Sequence, residues 1–162
     1  MDATEPFPFE AGSFQFVFSE HMIEHVSYTG RARMLSECYR TMRPGGVIRV
    51  TTPDLASIMG LYGSAPSGTQ RRYLDWFLET FLPDTQPRTA TTVINAHFRM
   101  WGHQFLYHET TLTQSLVHAG FREVVRRRLR ESSHPALSDL ENTVRYPEGL
   151  LDFESVALEA RK

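Results

Sequence analysis

A strand–helix–strand unit in the first third of the chain constrains the fold most strongly. Residues 14–18, FQFVF, form a short apolar run rich in β-forming residues and predict a buried strand. Apolar residues recur at helical spacing over residues 30–42, and the RPGG segment that follows ends this helix. Residues 47–52, VIRVTT, predict the next strand. Because a helix connects the two strands, we expect a parallel pair with a right-handed crossover.

The segment over residues 54–120 is much longer than an ordinary connection between strands. Helical patterns occur in it at about residues 54–62, 69–82, 89–101 and 109–119. Two further strands are expected, near residues 122–130 and near residues 153–160. The sequence therefore predicts one α/β domain over residues 1–162, with a helical insertion, or lid, at residues 54–120.

The charge balance gives no electrostatic reason to expect nucleic acid or a membrane as a partner, because the formal net charge is -2. The single cysteine, Cys38, excludes an internal disulfide and suits a reducing compartment. The first residues lack the basic flank and apolar core of a signal peptide, and no apolar run approaches membrane-spanning length. We therefore expect a cytoplasmic protein.

Two Glu-His pairs follow the first predicted strand directly, at Glu20-His21 and Glu24-His25. Ligands of open α/β sheets bind outside the carboxyl ends of the strands, which is where Glu20 and His21 lie. Histidine titrates near neutral pH, so His21 is a candidate general base. The alternative interpretation is that EHMIEH begins a helix whose dipole favours acids in the first turn, with His25 as a packing or capping residue.

The spacing of His21 and His25 also fits a metal site. A zinc site needs at least a third ligand, however, and the order of residues is not H-E-x-x-H. The sequence therefore predicts no metal ligands. A metal-dependent hydrolase, using these two histidines and one from the lid, is a weaker alternative.

Aromatic and polar residues concentrate in NAHFRMWGHQFLYH, residues 95–108. Insertions after the carboxyl ends of strands often determine substrate specificity. The candidate substrate-binding residues of this segment are Asn95, Arg99, Trp101, His103 and Tyr107. The alternative is a lid whose aromatic residues pack on the sheet. Asp54, after the second strand, is a further candidate, although we favour it as the N-cap of a helix over residues 55–62.

Three longer segments carry a family resemblance: DATEPFPFEAGSFQFVFSEHMIEH, LSECYRTMRPGGVIRVTTPDL and FRMWGHQFLYHETTLTQSLVHAGF. They resemble the C-terminal part of bacterial class I S-adenosylmethionine (SAM)-dependent methyltransferases, in particular a group of predicted methyltransferases related to the type 11 domain. The resemblance implies a partial Rossmann-like methyltransferase sheet. Its strand order would resemble 4-5-7-6, with the last strand antiparallel.

The resemblance also implies that the first three strands of the family precede residue 1. Those strands carry the glycine-rich SAM loop, and no such loop follows a strand in these 162 residues. Met1 falls where the third strand ends, so one hypothesis is that it is an internal codon or that the gene is a fragment. The implied cofactor is SAM, contacted by Asp2, Ala3 and Glu20, with Glu20 and His21 as catalytic residues.

The expected function is therefore that of the C-terminal portion of a SAM-dependent methyltransferase, which methylates a small-molecule, sugar or lipid-linked acceptor. The alternative from a different class is a non-catalytic, truncated methyltransferase-like interaction module. Without a neighbouring third strand, the first predicted strand becomes an exposed apolar edge. Self-association through that edge is a further expectation.

Overall fold

The computed structural model describes residues 2–162 and contains a four-stranded mixed sheet in the order β1–β2–β4–β3. The strands are β1 (Phe14–Glu20), β2 (Met42–Pro53), β3 (Arg122–Arg127) and β4 (Ser155–Arg161). β1 and β2 are parallel, and β4 runs antiparallel to both β2 and β3. This is the order that the resemblance implies, and the predicted α/β fold class is confirmed.

Six α-helices connect the strands in the described part of the chain. They are α1 (Gly30–Thr41), α2 (Leu55–Gly60), α3 (Gly68–Phe81), α4 (Ala90–Arg99), α5 (Glu109–His118) and α6 (Leu150–Glu154). Four of them, α2 to α5, lie between β2 and β3. The short helix α6 overlaps the first residues of the predicted last strand, near 153–160. Leu150 and Leu151 of this helix are buried. None of the helices over residues 2–162 is both long and apolar enough to cross a membrane.

The first part of β2, which follows α1 directly, depends on two glycines. Met34, Leu35 and Cys38 form the buried face of α1, as the spacing predicted. The chain then turns through Gly45, at a φ of 77°. A Cβ atom at Gly46 would lie 2.8 Å from the carbonyl oxygen of Gln15, so β1 and β2 can approach here only because no side chain is present.

The two larger clusters of buried apolar residues pack the sheet and the helices between β2 and β3. One packs the sheet against α1 and α5, and includes Ile23, Leu35, Ile48, Leu112 and Leu158. The other joins α2, α3, α4 and α6, and includes Ile58, Phe77, Val93 and Leu150. The helices between β2 and β3 therefore have a core of their own beside the sheet.

A buried ion cluster ties the centre of the sheet to the segment after β3. Arg49 on β2 is fully buried and donates hydrogen bonds to Glu141 Oε1 at 2.6 Å and Glu159 Oε1 at 3.0 Å. Two further N–H groups donate to the backbone carbonyls of Arg128 and Glu131, at 3.0 and 2.9 Å. Four of the five guanidinium N–H groups are thus hydrogen-bonded, which offsets much of the cost of burying the charge.

Candidate functional site

A cleft of about 460 Å³ lies at the carboxyl ends of β1 and β2. Glu20, His21 and Pro53 form the side of the cleft that belongs to the sheet. The other side consists of aromatic and histidine side chains from α3, α4 and the turn after α4: Phe77, Phe81, His97, Trp101 and His103. A wider depression of about 520 Å³, between the N-terminal loop and α1, is lined by other residues. Because open α/β sheets bind ligands at the carboxyl edge, the cleft is the candidate site.

His21 sits at a sharp turn directly after β1. Its backbone N–H donates to the carbonyl of Thr51 at 2.9 Å, and its φ of 43° then bends the chain away from the sheet. The ring Nε2 lies 3.0 Å from the hydroxyl of Ser155 at the start of β4. Burial, together with the neighbouring His103 and His25, lowers the pKa of His21 to about 4. The imidazole is therefore neutral at pH 7.

Glu20 connects β1 to the long segment before α6. Its Oε1 accepts a hydrogen bond of 2.8 Å from the backbone N–H of Asn142. Both residues line the cleft, so this bond fixes one of its walls.

Glu24 is fully buried between two histidines. Its Oε2 accepts a hydrogen bond from the Thr52 hydroxyl at 2.9 Å. Its Oε1 has no hydrogen-bond partner among the described residues, and lies 3.8 Å from His21 Nδ1 and 3.9 Å from His25 Nε2. Burial raises the pKa of Glu24 to about 7.

His103 meets His25 on the other side of the same cluster. The two rings pack edge to face with their centroids 4.8 Å apart. His103 Nδ1 donates to the backbone carbonyl of His97 at 2.6 Å. One possible ligand atom from each of Glu24, His25 and His103 lies within 4.8 Å of the others.

A second buried polar network lies deeper in the cleft. The Tyr73 hydroxyl donates to Glu154 Oε2 at 2.5 Å and lies 2.9 Å from His97 Nε2. The Tyr146 hydroxyl donates to Glu154 Oε1 at 3.1 Å. Burial raises the pKa of Glu154 to about 7, and burial lowers that of His97 to about 3. His97 is therefore uncharged near pH 7.

Four of the site residues predicted from the sequence lie together in the cleft. Glu20, His21, Trp101 and His103 all line the cleft. Asp2 is exposed, and its Oδ1 accepts hydrogen bonds from the N–H and hydroxyl of Thr4 at 2.8 and 2.7 Å. Ala3 packs into the core beneath the sheet. These two residues lie outside the cleft lining.

The remaining predicted substrate residues point elsewhere. Asn95 and Arg99 are exposed on α4, because the helix turns His97 rather than either of them towards the cleft. Tyr107 is fully buried in the sheet core and is not among the residues that line the cleft. Asp54 is the N-cap of α2, and its Oδ1 accepts from the N–H of Ala56 at 3.0 Å, as the favoured interpretation held.

Several residues of the cleft were not identified from sequence. His97 belongs to the same histidine-rich segment but was not selected. It lies two positions after Asn95 and two before Arg99, and therefore on a different face of the helix. His25 was considered as a packing or capping residue and as a ligand in the hydrolase alternative, whereas Glu24 was noted only as part of the second Glu-His pair. Glu154 and the two tyrosines bonded to it, Tyr73 and Tyr146, come from separate segments of the chain. The only sequence signal for this group was that Glu154 immediately precedes a strongly apolar strand.

Comparison with known proteins agrees with this architecture. A family described as "Methyltransferase domain" matches residues 1–50. A search of curated proteins finds no match. The fold is similar to that of a SAM dependent methyltransferase from Archaeoglobus fulgidus, with a TM-score of 0.55 and 19% identity, over 100% of this chain and 66% of the other.

Two other solved structures are similar over the whole chain. One is a SAM-dependent methyltransferase from Thermotoga maritima, described as a possible histamine N-methyltransferase, with a TM-score of 0.52, 20% identity and 62% of its length covered. The other is a possible exported protein from Bordetella parapertussis, with a TM-score of 0.54, 13% identity and 42% covered. The chain thus shares the α/β fold of these structures, with a four-stranded mixed sheet, and spans less than two thirds of each of these proteins.

Proposed function

We propose that this chain is the C-terminal portion of a SAM-dependent methyltransferase and that its cleft holds the methyl acceptor. The main support is the position of the segment that matches the methyltransferase domain. This segment contains β1, which ends at Glu20 and His21 in the wall of the cleft. Acceptor sites at the carboxyl edge of such a sheet follow the general placement of ligands in open α/β folds.

Residues 2–162 fit only part of a SAM site. Glu20 borders the cleft, but the Asp2 carboxylate is bonded to Thr4 and Ala3 is packed in the core. The glycine-rich loop that holds the cofactor in such folds does not follow any strand of this part of the chain. We therefore propose that residues preceding Met1 supply the rest of the cofactor site.

The aromatic side of the cleft favours an acceptor with a flat or apolar portion. Phe77, Phe81 and Trp101 offer ring faces and edges, which suit a small ring compound or a sugar. A lipid-linked acceptor fits the same apolar wall. His21 and His97 are neutral at pH 7 and can hydrogen-bond a hydroxyl or amine without adding charge.

The proposed role of His21 is to orient the acceptor. A neutral imidazole can accept a hydrogen bond from an acceptor hydroxyl and hold it in line for transfer. Its pKa of about 4 makes it a weaker proton acceptor than an ordinary histidine. We place Glu20 beside it, at the boundary between acceptor and cofactor.

Calorimetric titration with S-adenosylhomocysteine tests this function. We expect a chain extended upstream through its reading frame to bind at micromolar concentration, and the 162-residue chain to bind at least about 100-fold more weakly, a difference of about 2.7 kcal/mol. Glu20→Gln should weaken binding by the extended chain. Glu10→Gln, which alters an exposed acid in the preceding loop, is the control.

Absence of binding by the extended chain, or an in-frame stop just upstream, would favour the non-catalytic interaction module instead. That alternative is supported by the limited share of the methyltransferase structures that the chain spans. It predicts that the fold persists while no cofactor binds.

We also propose that β1 pairs with a second copy of the chain in solution. β1 is an edge strand of the sheet, and Phe14, Phe16, Val17 and Phe18 are all only partly buried. Unpaired apolar edges promote association through backbone hydrogen bonds.

Light scattering should therefore show a mass that rises from monomer to dimer with concentration. Phe16→Lys should shift the equilibrium to monomer, because a charge on the edge opposes pairing. Val125→Lys, on the other edge strand β3, is the matched control and should leave the dimer intact. A monomer at all concentrations, or equal effects of both variants, would refute pairing through β1.

A further inference from the structure

The Glu24 carboxylate is buried with one oxygen unsatisfied. Oε2 is bonded to Thr52, whereas Oε1 faces His25 Nε2 at 3.9 Å without a hydrogen-bond partner among the described residues. A buried, unpaired carboxylate oxygen costs free energy unless a positive charge or a proton donor meets it. Its neighbours therefore indicate what it is arranged to bind.

His25 and His103 each have a ring nitrogen within 4.8 Å of a Glu24 carboxylate oxygen. His103 Nδ1 donates to the His97 carbonyl at 2.6 Å, which fixes the ring tautomer and leaves Nε2 as the free acceptor. This arrangement, with one ring nitrogen on a carbonyl and the other free, is characteristic of histidines that bind metals. The rings of His25 and His103 lie 4.8 Å apart.

Backbone hydrogen bonds hold the cluster in place. The N–H groups of Gln104 and Phe105 donate to the Glu24 carbonyl at 2.7 and 3.2 Å. The Gln104 side-chain amide donates to the His25 carbonyl at 2.8 Å. The short turn that carries Glu24 and His25 is thus fastened to the segment that carries His103, although the two are far apart in sequence.

We propose that Glu24, His25 and His103 form a site for one divalent transition-metal ion, with Zn²⁺ as the best match. Two imidazoles and one carboxylate are a donor set that Zn²⁺ and its neighbours in the first transition series prefer. The ligand atoms lie within 4.8 Å of one another. Bonds of about 2.0–2.1 Å to a tetrahedral ion require separations of about 3.4 Å, which small side-chain rotations supply.

The remaining coordination positions of the ion face the cleft. His25 and His103 both line it, and the His25 side chain is 33% exposed. Water, or an oxygen or nitrogen atom of a cleft ligand, completes the coordination there. This site departs from the sequence prediction of no metal ligands, and it uses Glu24 where the hydrolase alternative used His21.

Metal binding to the untagged 162-residue chain tests the proposal directly. After treatment with a chelator, the protein is titrated with Zn²⁺ by calorimetry and with Co²⁺ by visible absorption, which reports the coordination geometry. We expect one ion per chain and the intense visible bands of tetrahedral Co²⁺. His25→Asn and His103→Asn should each weaken binding by at least about tenfold.

The matched control is His118→Asn, which alters an exposed histidine on α5. It should leave the affinity and the Co²⁺ spectrum unchanged. Circular dichroism of every variant separates lost binding from lost folding, and Glu24→Gln serves as a third ligand variant of nearly the same shape. Absence of stoichiometric binding by the wild-type chain would overturn the proposal. So would equal binding by folded His25→Asn, His103→Asn and wild-type proteins.

Discussion

Replacing Arg49 by methionine is expected to lower the free energy of unfolding by about 3–5 kcal/mol, because it leaves the buried Glu141 carboxylate without a cation and Glu159 with only the partly exposed Arg127. Glu141 and Glu159 are both buried, and the guanidinium is the cation that joins them. Methionine fills much of the space but supplies none of the four hydrogen bonds. Urea denaturation followed by circular dichroism measures the loss.

Arg126→Met is the matched control for this prediction. Arg126 pairs with Glu109 at 2.7 Å, but the side chains are 53% and 38% exposed. An exposed pair contributes only about 0–1 kcal/mol, so this variant should be nearly as stable as the wild type. The triple variant Arg49→Met, Glu141→Gln, Glu159→Gln should recover part of the loss, since no buried charge is then unpaired. Similar stability of the two single variants would contradict the ion-cluster explanation.

Glu154→Gln is expected to remove a pH dependence of about 2–3 kcal/mol from the free energy of unfolding between pH 5 and pH 8. Burial raises the pKa of Glu154 from 4.5 to about 7, so the folded state favours the neutral acid. Its contribution to stability is complete below pH 4.5 and is lost as the pH rises through 7. Relative to Glu154→Gln, the wild type should therefore weaken towards pH 8.

The groups that face Glu154 do not reverse this sign. Tyr73 and Tyr146 donate hydrogen bonds to it, and burial raises the pKa of both well above the usual range. His97 has a pKa of about 3 and is neutral over this interval, and Glu24 is present in both proteins. Urea denaturation at several pH values is the measurement, with Glu79→Gln, an exposed acid on α3, as the control. Parallel pH profiles for Glu154→Gln and the wild type would show that this carboxyl is not the group involved.

The local elements of this fold could be predicted because their signals are local. The apolar run of β1, the buried stripe of α1 and the two glycines in the first part of β2 are each signals within a short stretch of sequence. The antiparallel position of β4 came from the resemblance, since apolar alternation alone does not give strand direction. The sequence could also place Glu20 and His21 at the edge of the sheet, because strand ends define that edge.

The interior of the site could not be predicted, because its contacts join distant segments. Arg49 and Glu141 are 92 residues apart, and His21 and Ser155 are 134 apart. The orientation of α4 decides that His97 faces the cleft while Asn95 faces solvent, and packing against α3 sets that orientation. Likewise, Tyr107 is buried in the main apolar cluster and forms an isolated backbone bridge with Asp54, which no spacing rule anticipates.

Two adjacent residues give the core a direct mechanical link to the cleft. Glu141 holds Arg49 in the centre of the sheet, and the backbone N–H of Asn142 holds the Glu20 carboxylate in the cleft wall. Loss of the Arg49–Glu141 ion pair would therefore remove a contact that holds the segment at Glu141 and Asn142, and this segment also positions Glu20. We therefore expect a substitution at Arg49 to shift the Glu20 carboxylate in the cleft wall as well as to destabilise the sheet, although Arg49 itself lies outside the cleft.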